Sequence, residues 1–541
     1  MHNPTDPYGY SSPAVSDLHH FYGRNATFGT TSRYREATLA EAYYLGLQYE
    51  HLKPWNTKGV ALESKKPKII EPLYKRTVHA LDDFIWSGHR FPRVVVSPTW
   101  NSETNESDIG PALDLAESSL LTRFVNEPSF ITPLRQAIRE ATRKAIVCRS
   151  AALIIGARAG HLRCQVENGK HCTPTFSKTA HGMLESLEIV YQFQREDPSG
   201  GGSTRTRWYW YRRTITTTTD TVYKEEPVFA GKSPEWIVDP DKTVAHNLGI
   251  CPVVWVRTLP ESEDAVDGVP VIDPQLYSLI DAINYTLSQR NRAVQYGGDP
   301  QPIRTGVDEA DRANLNKEPG SIWDLPQGGS FQFAEIQGAG AERASSHIQD
   351  LTQRFYSAVR VVLMDPQALS GDISGRVLEL IHGPMVGLAG SLREDLGDVA
   401  LCRAVCVALR MICTLNARGE TVMIPGVKRA AQALTTSQTA GMWLDPPVSL
   451  QWRPFFAPSV TEQQQRLSLA NEAVSSKLIT KETALNSVAD IFNILDPRAE
   501  LEAVKESTKK PSVPPPPIAQ ADQETEPKEP EEPEIQLMEE E

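Results

Sequence analysis

The chain has 541 residues, a mass of 60.0 kDa, 40% hydrophobic residues and a formal net charge of −13. That length and apolar fraction allow two or three packed domains and exclude general disorder. The acidic balance excludes a generic nucleic-acid coat, which would be basic, although ten acidic residues and three lysines from Thr508 onward give that tail −7 and leave the rest only −6.

Residues 1–32 are rich in Pro, Gly, Ser, Asn and Tyr without periodicity and read as an arm. Met1-His2-Asn3-Pro4 lacks the charged and apolar regions of a signal peptide. Helices are expected over Ala37 to Leu47 and Ile69 to Phe84, where Ile70, Leu73, Thr77, Leu81 and Phe84 recur at helical spacing. Helical character continues over 112–156, with breaks expected near Pro128 and Pro133.

From about 152 to 258 the pattern changes to strands at Ala152 to Ile155, Ser186 to Gln194, Thr204 to Thr219 and Pro252 to Arg257. Pro198 to Ser203 reads as the loop of a long hairpin. The first 270 residues therefore predict an α+β domain with an antiparallel sheet.

Asp273 and Pro274 fit the cap and first position of a helix whose stripe is Leu276, Ile280, Ile283, Leu287 and Val294, stopped by Gly297-Gly298. A turn-rich segment, 299–339, carries short extended pieces at Gln301 to Thr305 and Phe331 to Ile336. A second helix of matching length follows over Ala341 to Leu363, with Ile348, Leu351, Phe355, Val359 and Val362 as its stripe. Pro366, Gly371 and Gly375 break the chain, and a long helical run extends from Arg376 to about Asn416. Gly383-Pro384 should kink that run, and Gly387, Gly390 and Gly397 leave room for close packing or bending. Cys402, Cys406 and Cys413 have the spacing of buried thiols on one helix face; with no CxxC, that points to free thiols in a reducing compartment. The most apolar window, Val399 to Leu415, contains Arg403 and Arg410 and reads as a packed helix, not a membrane span. Val448 to Phe456 reads as a strand, and Thr461 to Ala489 as two short helices meeting near Ser475-Ser476-Lys477.

Several phrases in this order resemble the portal proteins of tailed bacteriophages, over roughly 250 to 500. Pro274 to Asn284, with Leu279-Ile280-Asp281-Ala282 followed by Ser288 and Asn291, is similar to the family's first stem helix. Ser370-Gly371-Asp372-Ile373-Ser374-Gly375 before a long helix resembles its tunnel loop and kinked helix. Leu450 to Phe456 is similar to its late strand, with Arg453-Pro454 in place of a common Asn-Pro. Thr461 to Gln465 and Leu478 to Leu485 resemble its closing helices.

The resemblance implies an α+β portal fold. A wing would span 33–272, the stem helices 273–296 and 341–363, and the clip 297–340. The tunnel loop would span 364–375, the kinked helix and return strand 376–460, the crown 461–507 and a Pro/Glu-rich tail 508–541. It implies a homo-oligomeric ring, a dodecamer in the virion, assembled in the host cytoplasm. Double-stranded DNA would pass through it during packaging and ejection. Terminase, head-completion or adaptor proteins, and capsid or scaffolding protein would be its partners, with no membrane, cofactor or catalysis. Gln367, Ser370, Asp372 and Ser374 would line the loop that faces DNA, and Arg290, Arg292 and Arg304 would sit in stem and clip. A wall that DNA slides past should not hold phosphates tightly, which suits a mildly acidic body.

Other chemistry is weighed on its residues. His161, Cys164, His171, Cys172 and His181 are zinc-ligand types, but their spacing matches no finger pattern. Arg205 to Arg213, with Trp208, Tyr209, Trp210 and Tyr211, could stack single-stranded nucleic acid; alternation places aromatic rings on both faces, as in a strand packed on each side. Asp281, Asp365 and Asp372 could suggest a metal-dependent nuclease, and they read instead as a helix-face residue and loop caps. No GxxxxGK[ST], GxSxG or HExxH motif is present. A head-tail adaptor or tail component is the competing structural reading.

Overall fold

A computed structural model describes residues 32–51, 67–87, 90–96, 115–158, 161–178, 183–199, 203–229, 232–262, 265–298, 301–305, 330–334, 339–363, 379–418, 448–456, 460–489, 491–492, 494 and 500–505. The expectations for the N-terminal arm, the 364–375 loop and the Pro/Glu tail lie outside these residues. In chain order the elements begin with α1 (Ser32–Leu45), α2 (Gln48–His51), α3 (Leu73–Trp86), β1 (Arg93–Val96), α4 (Leu115–Val125) and α5 (Pro128–Cys148). Strands follow: β2 (Ser150–Arg158), β3 (His161–Asn168), β4 (Cys172–Phe176), β5 (Leu184–Ser199), β6 (Ser203–Thr216), β7 (Thr219–Val222), β8 (Glu226–Pro227), β9 (Val244–Ala245) and β10 (Val253–Arg257). Next come α6 (Tyr277–Gly298), β11 (Gln301–Thr305), β12 (Ser330–Ala334), α7 (Ala339–Val359), α8 (Gly383–Arg393), a π-helix (Glu394–Leu401), α9 (Cys402–Ala417), β13 (Val448–Gln451), α10 (Val460–Ser475) and α11 (Lys481–Val488). The fold is α+β with antiparallel sheets.

The period of two along β2 and β10 explains the layering. Ala151, Leu153 and Ile155 on one face of β2, with Val254 and Val256 of β10, join the main core formed with the helices. Ala152 and Ile154 on the other face, with Val253 and Trp255, join a second core with Leu187, Ile189 and Ile215 of β5 and β6. The sheet β10-β2-β3 therefore lies between helix α5 and the sheet β4-β5-β6-β7-β9. The long hairpin is formed by β5 and β6, paired from Ser186↔Thr216 to Ser199↔Ser203.

Helix α5 runs through Pro133, where a break was expected; the break falls before Pro128, which occupies the helix start. Pro128 is tolerated at the helix start because its missing N–H would have no intrahelical partner there, whereas Pro133 lies inside the helix and forgoes one such bond. The expected helical stretch to 156 ends at Cys148, where Arg149 turns the chain at φ 68° into β2. Helix α3 starts at Leu73, so Ile70 falls outside it and is exposed. Strand β13 is shorter than expected and pairs with β1, Arg93↔Gln451 to Val96↔Val448. The other edge of β1 is covered by side chains of α4 and its end: Val94 N donates to Asn126 Oδ1 at 3.3 Å and Val96 N to Thr122 Oγ1 at 2.9 Å.

The long run after 376 is described from Glu379. It breaks at His382 before Gly383-Pro384, as expected for a kink there, and then passes through the unexpected π-helix. Gly387 and Gly390 face open space, whereas Gly397 lies against Trp452. Cys402 and Cys406 are buried free thiols on α9.

The chain divides into two units, the second beginning at Gln465. Within the second, Lys477 at φ 58° turns the chain between helices, the Thr480 hydroxyl accepts from Thr483 N at 3.2 Å to cap α11, and Ala484 and Val488 are buried. Among the described residues no helix is long and apolar enough to cross a membrane.

Candidate functional site: a helical hairpin with a strand pair at its tip

Helix α6 begins in a short 3-10 turn at Pro274–Leu276, where the Asp273 carboxylate accepts from Gln275 N at 2.8 Å. Its apolar side inserts Ile280 and Ile283 into the main core, with Leu276, Leu279 and Leu287 packed against it. Val294, counted in the same stripe, is 55% exposed. Helix α7 returns alongside α6. It buries Leu351, Phe355 and Val359, and Ile348 packs at the edge. Arg360 takes φ 61° with Val361 N donating to Tyr356 O at 3.0 Å, ending the helix. That turn changes the phase, so Val361 is buried where Val362 was expected.

A second seam on α6 is polar. Asp281, Asn284 and Ser288 are spaced i, i+3, i+7 and so share one face. The Asp281 carboxylate accepts from the Tyr43 hydroxyl at 2.8 Å and the Tyr49 hydroxyl at 2.6 Å. Asn284, 0% exposed, accepts from Glu71 N at 2.8 Å and donates through Nδ2 to the Tyr49 oxygen at 3.1 Å. Ser288 Oγ accepts from Lys68 N at 3.0 Å and Ile69 N at 3.1 Å and donates to Asn284 O at 2.8 Å. Tyr277 stacks on Tyr43 with ring centroids 4.3 Å apart. Burial raises the Asp281 carboxyl above its usual range, opposed by the two tyrosine hydrogen bonds. Burial and Asp281 together push the Tyr43 and Tyr49 phenols far up, so both stay protonated as donors. Asp281 is thus a helix-face residue, as expected, on a face that is buried, where its carboxylate is the acceptor. The i, i+3, i+7 polar spacing beside an apolar stripe was the sequence signal for this seam.

The far half of the hairpin differs from its base. Asn291, Arg292, Val294 and Gln295 of α6 and Glu342, Arg343, Ser346, His347, Gln349 and Asp350 of α7 are exposed. Beyond them β11 and β12 pair antiparallel, Gln301↔Ala334 to Thr305↔Ser330, joining the two extended pieces expected there. The base is therefore fixed in the protein, while the far half and its strand pair extend from it.

Of the expected site residues, Arg290 is half-buried and Arg292 exposed on α6, and Arg304 lies on β11 opposite Phe331. Gln367, Ser370, Asp372 and Ser374 lie outside the described residues. Among the described residues, no three histidine, cysteine or carboxylate groups meet as a metal would require. His171 and Cys172 are buried, and His181 is outside the described set. The basic aromatic strand is β6, and the rings of Tyr209, Trp210 and Tyr211 and the guanidinium groups of Arg212 and Arg213 are engaged within the protein. Tyr211 stacks on Tyr191 at 4.9 Å, Arg213 pairs with Asp220 at 2.7 Å, and Arg212 pairs with Glu188 at 2.7 Å and covers Tyr223 and Trp236.

The family model described as phage portal protein, SPP1 Gp6-like, matches residues 134–511, more than two thirds of the chain. The chain belongs to the phage portal protein family. The match takes in α5, both stacked sheets, the helical hairpin and α8 to α11 of this portal chain, and so begins well before the 250–500 stretch on which the sequence phrases rest. No curated protein sequence matches it.

Proposed function

We propose that this portal protein forms a ring-shaped channel at one capsid vertex, through which double-stranded DNA is packaged and ejected. The ring is a homo-oligomer, a dodecamer in the virion, and acts without catalysis or cofactor. Head-to-tail closure around an axis permits such symmetry. The observation that carries this reading is the hairpin of α6 and α7, fixed at its base and exposed beyond it, within a chain of the portal family. In this reading α6 and α7 are the stem, β11 and β12 belong to the clip, and residues 364–375 form the loop that faces DNA. Gln367, Ser370, Asp372 and Ser374 make transient polar contacts there, and Arg290, Arg292 and Arg304 sit along stem and clip. Residues 33–272 and 376–460 form the wing and 461–507 the crown. The clip docks terminase during packaging and head-completion or adaptor proteins afterwards, while the outer body meets capsid or scaffolding protein. Assembly takes place in the host cytoplasm.

Negative-stain images of the purified full chain should show rings with a central hole. A protein that stays monomeric at high concentration would overturn the proposal.

A further inference from the structure

The eight-residue π-helix Glu394–Leu401 interrupts an otherwise α-helical run. π-helices of any length are rare and cluster at functional positions. Downstream, α9 is anchored by buried Ala404, Val405, Ala408 and Leu409. Upstream, α8 buries Met385, Leu388, Ala389 and Leu392 in the same core, with open space beside Gly387 and Gly390, and Leu380, just before it, is 70% exposed.

One aromatic ring touches the π-helix at two places and the end of α8 at a third. A Cβ on Gly397 would overlap the Trp452 ring, so only glycine lets the ring lie there. Trp452 Nε1 donates to Asp398 Oδ1 at 3.0 Å. The Arg393 guanidinium, at the end of α8, lies over the same ring at 4.6 Å and over Phe455 at 3.6 Å. A separate tie joins Leu259 N to Asp395 Oδ2 at 2.8 Å.

The arrangement carries an internal cost. Arg393 is 7% exposed, and only its Nη1 is satisfied, donating to Arg453 O at 3.1 Å. Nε and Nη2 are buried without a hydrogen-bond partner. A buried guanidinium with orphaned donors opposes burial, and cation–π contact repays part of that. Burial, with the Arg90 charge nearby, accordingly pulls its pKa down to about 10. Withdrawal of Trp452 and Phe455 would rehydrate Arg393, so the closed form combines a tight aromatic contact with an unfavourable buried charge. Such opposing contributions narrow the gap between the closed form and a rehydrated open one, and a small gap leaves the minor state populated.

We propose that Glu394–Leu401 is a hinge latched in its π form by Trp452 and opened as one unit when Trp452 withdraws, leaving α8 intact and free to move against α9. The test is hydrogen exchange with mass spectrometry on the full-length assembled chain, with labelling of the Cys402 thiol, buried next to the hinge, as an independent readout.

Trp452→Ala removes the latch and should accelerate exchange over 394–402 and Cys402 labelling about tenfold or more, with 383–393 still protected. Gly397→Ala, which displaces the ring without removing it, should do the same. Arg393→Met removes the orphaned donors while keeping an apolar stem, and should slow both readouts about fivefold or more. A residue that merely supports the fold would give faster exchange when replaced. Arg393→Met exchanging as fast as the parent or faster, or Trp452→Ala melting α8 together with the hinge, would overturn the proposal. If Trp452→Ala does not assemble, Trp452→Phe, which keeps a ring but lacks Nε1, should accelerate exchange over the same residues, and no acceleration would count against it equally.

Discussion

Replacing Asn284 by Ala tests the polar seam that ties α6 to the N-terminal helices. Asn284 has no exposed surface and serves two partners, Glu71 N at 2.8 Å and the Tyr49 oxygen at 3.1 Å. Truncation leaves the Glu71 amide without an acceptor and removes one of the donors to the Tyr49 oxygen, which Gln48 also reaches. A group orphaned in this way costs about 1–3 kcal/mol. Tyr49 still donates to Asp281 and keeps Gln48 as a donor, so its share is small, and the two losses together come to about 1–3 kcal/mol. Thermal unfolding followed by circular dichroism should show a fall of several degrees.

Local exchange is the sharper assay. Losing about 2 kcal/mol of local protection at Glu71 corresponds to exchange about thirtyfold faster, since about 1.4 kcal/mol is a factor of ten. The peptide covering 67–72 should respond while peptides of β5 and β6, which belong to the other core, do not. Ser288→Ala frees the amides of Lys68 and Ile69, which lie nearer solvent, and should cost less, about 1 kcal/mol. An Asn284→Ala protein with the parent melting temperature and unchanged exchange over 67–72 would refute the reasoning.

Lys170 is buried against Glu41, whose carboxylate raises the ammonium pKa against the opposing effect of burial. Glu41→Gln should therefore cost about 3–5 kcal/mol in denaturant unfolding, whereas the Glu41→Gln/Lys170→Met pair should recover much of it; equal loss in both would contradict the ion-pair account. His171, beside Lys170, is held neutral, with burial first and the Lys170 charge second pushing its pKa well below 6.5. The unfolded chain takes up a proton there that the folded one refuses, so stability should fall as pH drops below about 6.5, by at most about 1.4 kcal/mol per pH unit. His171→Phe, keeping a ring against Tyr191, should flatten that slope by one proton, and an unchanged slope would exclude this histidine. Deleting residues 365–375 should leave assembly intact and block DNA packaging or retention; normal packaging by that deletion would sink the tunnel-loop assignment.

The elements legible in the sequence are those whose cause is local. Asp273-Pro274 starts a helix because cap and fixed φ act within one turn. Ile280, Ile283, Leu351, Phe355 and Val359 could be read as buried from the 3.6 period alone, and the β5–β6 hairpin from alternation around a glycine-rich loop. The order of such phrases also carried the resemblance to the portal family.

What only tertiary structure decided depends on partners far away in the chain. Ile70 and Val294 keep the helical period yet are exposed, because periodicity does not tell where a neighbour stops. The union of β1 with β13 joins segments more than three hundred residues apart, and short strands carry no mark of their partner. Asp281, Asn284 and Ser288 look like solvated polar residues until Tyr43, Tyr49 and the backbone at 68–71 reach them. The π-helix is a further case: Gly397 leaves the space that the ring of Trp452 occupies, and a contact between separate segments is fixed by packing and not by local propensity.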